Sequence, residues 1–229
     1  MNPKEFARVL LLMAAQNDPQ RADAIADYMQ PMLQDEAAPE TAPTAQENGL
    51  ADGIYLVFGN HDRHQLYTPG TVTDWMKENC TGVAVKMGEK ALTVSLYNCA
   101  DSDDITLTAR EDNTKWDGYK DNALDAGADW DGAGNTAHLQ AIGLNPKIEL
   151  KDGEFIPSIA QWRLICLFRK ELNEALAEIG GDELYGWYWS STEYSASYAW
   201  LLYLNNGNMR NGAKASHTGR VRPVSAFIS

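Results

Sequence analysis

Three short runs in this chain carry residue types that do chemistry. Gly59-Asn60-His61-Asp62 follows an apolar run and could give an Asn and a His to a two-metal hydrolytic centre. Such a centre also needs an upstream Asp-x-His, a Gly-Asp-x-x-Asp and a downstream Gly-His-x-His. None is present; the remaining histidines are His64, His138 and His217. The tetrapeptide reads as a loop after a strand. The run from Asp129 through Asp131 and Gly132 to Asn135 alternates oxygen side chains about a glycine, as half a calcium loop would. The glutamate that would complete it is missing, since Gln140 stands at that position, so an Asx-turn loop is the plainer reading and calcium the alternative. Glu193 lies beside Ser190, Ser191 and Thr192, with His217 downstream. No nucleophile elbow or oxyanion-hole pattern accompanies them, so they are expected to tie a loop by hydrogen bonds. The chain is therefore expected to be non-enzymatic, with no catalytic residue, no metal and no cofactor.

Cysteine chemistry points the same way. Cys80, Cys99 and Cys166 show no CxxC or Cys/His ligand spacing, which argues against structural zinc. A Cys80–Cys99 bridge is one reading; the other is three buried small apolar side chains. Net charge is −13, which argues against a phosphate-backbone binder and hence a nucleic-acid partner. The charge is uneven: from Tyr188 onward Arg210, Lys214, Arg220 and Arg222 face one acid, Glu193, a net of +3. A mildly basic end on an acidic body suggests that the two parts meet different partners. No apolar run is long enough to span a membrane.

The elements that must position these residues follow from periodicity. Residues 3–33 read as two short helices, with Phe6, Val9, Leu10 and Met13 forming an amphipathic stripe rather than a secretory h-region. Residues 34–52 are Pro/Ala/Thr-rich with five acids and no base, which reads as a linker. The globular domain then occupies 53–229. Its strands are expected at 54–58, 82–87 and 92–97, the last two joined by a tight hairpin at Gly88-Glu89-Lys90. Residues 101–136 hold ten acids between Asp101 and Asp131 and read as a long surface loop with one helix around 118–126. One continuous helix is expected over 158–179, opened by a Ser158/Gln161 capping box and closed by Gly180-Gly181. Alternation predicts a strand at 200–204 and a turn at 205–208. A final strand is expected at 221–227, where Pro223 would place it at an edge or a bulge.

The terminal segment is the most distinctive. Of 22 aromatic residues, eight lie between Tyr185 and Tyr203, and small polar residues follow. That is the composition of a binding surface. Tyr188-Trp189-Ser190-Ser191-Thr192-Glu193-Tyr194, Ala199-Trp200, Asn206-Gly207-Asn208 and Arg220-Val221-Arg222-Pro223-Val224 together resemble the C-type-lectin-fold variable proteins of diversity-generating retroelements, and related domains of gut Bacteroidales and their phages. The Asp129–Thr136 loop, the Phe155-Ile156-Pro157-Ser158 helix entry and the helix end at 172–181 match the same pattern. The resemblance covers about residues 53–229; the strands before residue 100 match only loosely.

The resemblance implies an α+β C-type lectin fold whose N- and C-terminal strands pair. It implies a non-enzymatic display protein whose gene end is copied with adenine-directed errors, so that a framework persists while a ligand face varies. Trp200, Leu202, Leu204 and Met209 would be framework. The face would comprise outward-pointing Leu201, Tyr203 and Asn205, with Arg210, Asn211, Gly212, Ala213, Ala215, Ser216, His217, Thr218, and also Ser195, Ser197 and Tyr198. Calcium-lectin sugar signatures are absent. No cysteine follows Cys166, so the oxidase chemistry of a related enzyme family has no reagent here. The expected partner is a protein or glycan on a cell surface, and residues 1–33 would dock the chain to a virion or to copies of itself. The expected location is a phage virion, with the bacterial cell surface as the alternative. A fixed virion or surface protein using the domain for assembly is the rival function.

Overall fold

The computed structural model describes residues 50–59 and 63–227. The chain divides into two units, 1–49 and 50–229, and only the second is described. The expected helices at 3–33, most of the linker and the Asn60-His61-Asp62 run therefore lie outside the described residues.

The described unit is α+β with antiparallel sheets. The strands are β1 (Gly53–Phe58), β2 (Arg63–Leu66), β3 (Cys80–Met87), β4 (Lys90–Ser95), β5 (Glu154–Phe155), β6 (Trp187–Ser195), β7 (Tyr198–Tyr203), β8 (Asn208–Ala213) and β9 (Val224–Ala226). The helices are α1 (Asp74–Asn79), α2 (Ala123–Ala128), α3 (Gly132–Ile142), α4 (Ile159–Leu167) and α5 (Arg169–Ile179). One sheet runs β2-β1-β3-β4-β9-β5, the other β6-β7-β8.

Local chemistry explains most of these boundaries. Gly88 takes a φ of +57°, which lets Met87 pair with Lys90 across a two-residue turn. Ser158 and Gln161 form the expected reciprocal cap of α4. Gly180 closes α5 in the left-handed conformation. The expected single helix is instead two, because Phe168 leaves helical geometry at φ −102°, ψ 17°. The 101–136 stretch also departs from expectation. Its helices start later, at Ala123 and Gly132, each capped by an Asn or Asp side chain. Nor is it all surface, since Ile105 and Leu107 are buried.

Two further expectations are corrected. The N-terminal strand does not pair with the C-terminal one: β9 lies between β4 and β5. Nor does Pro223 mark an edge. It precedes β9, so its missing N–H costs the ladder nothing, while its carbonyl accepts from Ser95 N at 3.0 Å. Cys80 and Cys99 are buried and Cys166 half-buried, and all three are free thiols.

The main core joins one face of the large sheet (Leu56, Val83, Val85, Val94) to α4 and α5 (Trp162, Ile165, Leu172, Leu176). Tyr188, Trp200, Leu202 and Leu204 complete it from the small sheet. A second core lies on the opposite side of that sheet, where Trp189, Ala199 and Leu201 meet Ile105, Leu107, Leu139, Ile156 and Val221. The middle of the small sheet is thus apolar on both faces, unlike a sheet with one wet side. None of the described helices is long and apolar enough to cross a membrane.

Candidate functional site

The register of the small sheet decides which residues can share a surface. Trp187 pairs with Tyr203, Trp189 with Leu201, and Leu201 with Arg210. Cross-strand partners project from one face. Trp187, Tyr203 and Arg210 therefore belong together, and so does Leu201. Yet Leu201 is 0% exposed, because the second core covers that face at the sheet centre. The expected outward Leu201 is corrected: alternation sets which face a residue takes, and the packing of the 105–107 loop sets whether water reaches it. Only the end of the face nearer the β7–β8 turn emerges.

The emergent end is a cluster of rings about the Arg210 guanidinium. The Trp187 and Tyr203 rings lie 5.1 Å apart, and Arg210 lies over Trp187 at 4.1 Å. Arg210 donates to Nε2 of His217 at 2.8 Å, so the imidazole proton sits on Nδ1. Burial and the neighbouring Arg210 cation push the His217 pKa down, which keeps the ring neutral near pH 7. Arg220, whose register partner is Tyr188 rather than Trp187, lies over the Tyr185 ring at 3.8 Å and donates to the Tyr185 carbonyl at 2.5 Å. Asp104, more than half exposed, stands 3.8 Å from Arg220 Nε.

Other expected site residues scatter. Tyr198, Asn211 and Ala213 share the register of Trp200 and so project from the reverse side of the sheet. Asn205 is exposed, but its Oδ1 accepts from Gly186 N at 2.8 Å, which ties the turn to the start of β6. Gly212 is buried, correcting its expected place on the surface. A Cβ there would stand 2.9 Å from the His217 ring. Ser216 and Thr218 are exposed; Ala215, Ser195 and Ser197 are half-buried, and Ser197 donates to the Asp112 carbonyl. The expected outward set begins at Ser195. It therefore omits Trp187, although the aromatic density around 185–187 is a usable signal.

The apparent basic end is half internal. Arg222 is fully buried, donating to Asn98 Oδ1, the Ser95 carbonyl and the Asp182 carbonyl at 2.7–2.8 Å. Lys214 is 1% exposed and pairs with Glu193, at 0%, and with Asp112 at 3.4 Å. Glu193 also meets His138 Nδ1 at 2.6 Å, and Trp116 stacks on that imidazole at 4.0 Å. Burial raises the Asp112 pKa, but hydrogen bonds from Thr114 and the Lys214 ammonium outweigh it and hold the carboxyl below its usual range. Lys214 is also clamped through its backbone. Its N–H donates to Ser197 and its carbonyl accepts from Leu107 and Thr108.

The chemistry-bearing runs serve the scaffold. Ser190 Oγ donates to the Trp200 carbonyl at 2.8 Å and Thr192 Oγ1 to Asp129 at 2.7 Å. Asp129 Oδ2 also accepts from Asn135 at 2.6 Å, and Asp131 caps α3 through Gly134 N. Both carboxylates are thus engaged by protein donors. Among the described residues no group of three or more His, Cys, Asp or Glu is placed to hold a metal ion. No protein-family model matches the chain, and no curated protein is significantly similar to it.

Proposed function

We propose that this chain is a non-enzymatic ligand-binding display protein with a C-type lectin fold. Its C-terminal face is diversified by a retroelement to bind varied cell-surface ligands, and it serves in a phage virion as a receptor-binding protein. The observation that carries the reading is the contrast within residues 198–218. Trp200, Leu202, Leu204, Lys214 and Gly212 are buried and hydrogen-bonded or packed, while Tyr203, Arg210 and residues 215–218 border a surface of rings and polar groups. Side chains of the second kind can change without disturbing the core, and aromatic and arginine residues on a surface supply binding energy.

The test is genomic. The coding region for residues 189–222 should recur nearby as a near-repeat beside a reverse-transcriptase gene, and sister genes should differ at Tyr203, Arg210 and 215–218. Equal variation at Trp200, Leu202 and Leu204 would refute diversification. Leu201 and Gly212 should now behave as framework. A fixed assembly protein would instead show no variation at Tyr203 or Arg210.

A further inference from the structure

The outer edge of β6 is closed by the chain itself. Trp189 N–H donates to the Arg220 carbonyl at 2.9 Å, and Arg220 N–H donates to the Trp187 carbonyl at 3.0 Å. The other edge of the small sheet is β8, with no described strand beyond it. Its pairing with β7 runs from Tyr203–Asn208 to Tyr198–Ala213 without a register shift. Two hydrogen bonds fix which way its main-chain groups face. Leu204 N–H donates to the Gly186 carbonyl, so Leu202 bonds toward β6 while Leu201 and Tyr203 bond toward β8. Lys214 N–H donates to the Ser197 carbonyl, which gives Arg210 and Gly212 the bonds to β7. The N–H and C=O groups of Met209 and Asn211 therefore point outward, and no described residue bonds them there. Past them the edge closes, where the Ser216 and His217 N–H groups donate to the Ala213 carbonyl. Two donors and two acceptors thus stand in a row on a regular strand that holds neither a proline nor a bulge. Such an edge is a template for another strand.

Charge narrows what fits this edge. Met209 pairs with Leu202 and faces the main core, where Arg163 of α4 reaches its Sδ at 3.2 Å. Arg210, the next residue, faces the other way and lies over Trp187. Both arginines are exposed, and neither has a carboxylate partner among the described residues. An uncompensated cation thus flanks the edge on each face of the sheet. A second β8 laid here would add two more guanidinium groups and no acid, which opposes pairing between copies. We propose that an extended acidic protein segment adds to β8 as a fourth strand of the small sheet. Its main chain bonds Met209 and Asn211, and its acids meet Arg163 on one face and Arg210 on the other. Side chains of an added strand alternate between the faces, so two consecutive acids reach both arginines. The proposal rests on the display reading and deepens it, because a main-chain ladder persists while the side chains around it change.

The test uses the full-length chain and a short labelled peptide of Thr and Val around a central Glu-Glu pair, followed by fluorescence anisotropy. One version carries N-methyl groups on alternate residues, which blocks one edge of the peptide strand and leaves the other free. A second carries them on every residue and blocks both edges. The first should bind much as the unmodified peptide does, and the second about tenfold or more weakly, because it has no N–H left for the ladder. Asn211→Pro should weaken the unmodified peptide by a similar factor, since it removes an outward donor at an edge position that tolerates proline. Circular dichroism checks that this variant folds, and the N-methylated peptides decide on the wild-type chain if it does not. Arg163→Gln and Arg210→Gln should each weaken binding a few-fold, as for exposed pairs, and added salt should do the same. No binding below about 1 mM peptide, or equal affinity of all three peptide versions, would overturn the proposal. So would equal affinity for a peptide with Lys-Lys at its centre. Self-association that is lost in Asn211→Pro, without peptide binding, would replace the acidic segment with a second copy. Diversified sister genes without a ladder would leave the display reading standing. Ladder binding with invariant sister genes would overturn that reading alone.

Discussion

Replacing Lys214 by Met should be among the costliest single changes at the C-terminal end. The ammonium is 1% exposed and neutralises two carboxylates, Glu193 at 0% and Asp112 at 8%. Removing one partner of a buried ion pair costs about 3–5 kcal/mol, because the other charge stays buried. Two details place the loss at the lower end. Glu193 keeps its contact with His138, and Asp112 keeps two hydrogen bonds from Thr114. Against a stability of about 5–15 kcal/mol for a domain, about 3 kcal/mol is a large share. With a urea slope of about 2 kcal/mol per M, the midpoint should fall by roughly 1.5 M. Tryptophan fluorescence in a urea series reads this directly, since Trp116 stacks on the His138 of the same network. Adding Glu193→Gln to Lys214→Met should recover part of the loss by removing the stranded charge. A midpoint shift of less than about 0.3 M, the size of a surface pair, would refute the claim that this network is a structural anchor.

Three other outcomes are expected. Leu201→Ala should cost about 2–5 kcal/mol as a core truncation, whereas Tyr203→Ala should cost about 1 kcal/mol or less and act on binding, both read from urea midpoints. The His217 imidazole should titrate by NMR below its ordinary value of about 6.5, so it contributes stability above that pH which is lost as pH falls through 6.5, and Arg210→Gln should move the midpoint up. Burial pushes the Cys99 thiol up to about 11, so it should resist a thiol reagent at pH 8 and react only on unfolding in urea, when all three cysteines titrate as free thiols.

Elements bounded by local chemistry were legible in the sequence. The Gly88 hairpin, the Ser158/Gln161 cap and the Gly180 helix end depend on residues within a few positions of one another. What stayed hidden depends on distant pairing. Leu201 reads as outward by alternation and is buried because residues 105–107 cross that face. Lys214 and Arg222 read as a basic end and are internal because Glu193, Asp112, Asn98 and the Asp182 carbonyl meet them from 21 to 124 positions away. The helix break at Phe168 and the insertion of β9 between β4 and β5 likewise have no local signature. In the candidate site, Tyr203, Arg210 and His217 are expected from the family resemblance, while the place of Trp187 beside Tyr203 needs the register.

The position of Lys214 bears on how a diversified library of this protein would perform. Lysine is encoded only by AAA and AAG, so adenine-directed copying errors would strike position 214 as readily as its neighbours. An error that puts an uncharged or acidic residue there leaves Glu193 and Asp112 without their shared cation. A copy altered in this way would give up about 3 kcal/mol of stability, whatever its surface residues. On the display reading proposed above, a diversified library would therefore hold a share of weakened members. How many of those members stay usable would depend on the stability that the rest of the fold holds in reserve.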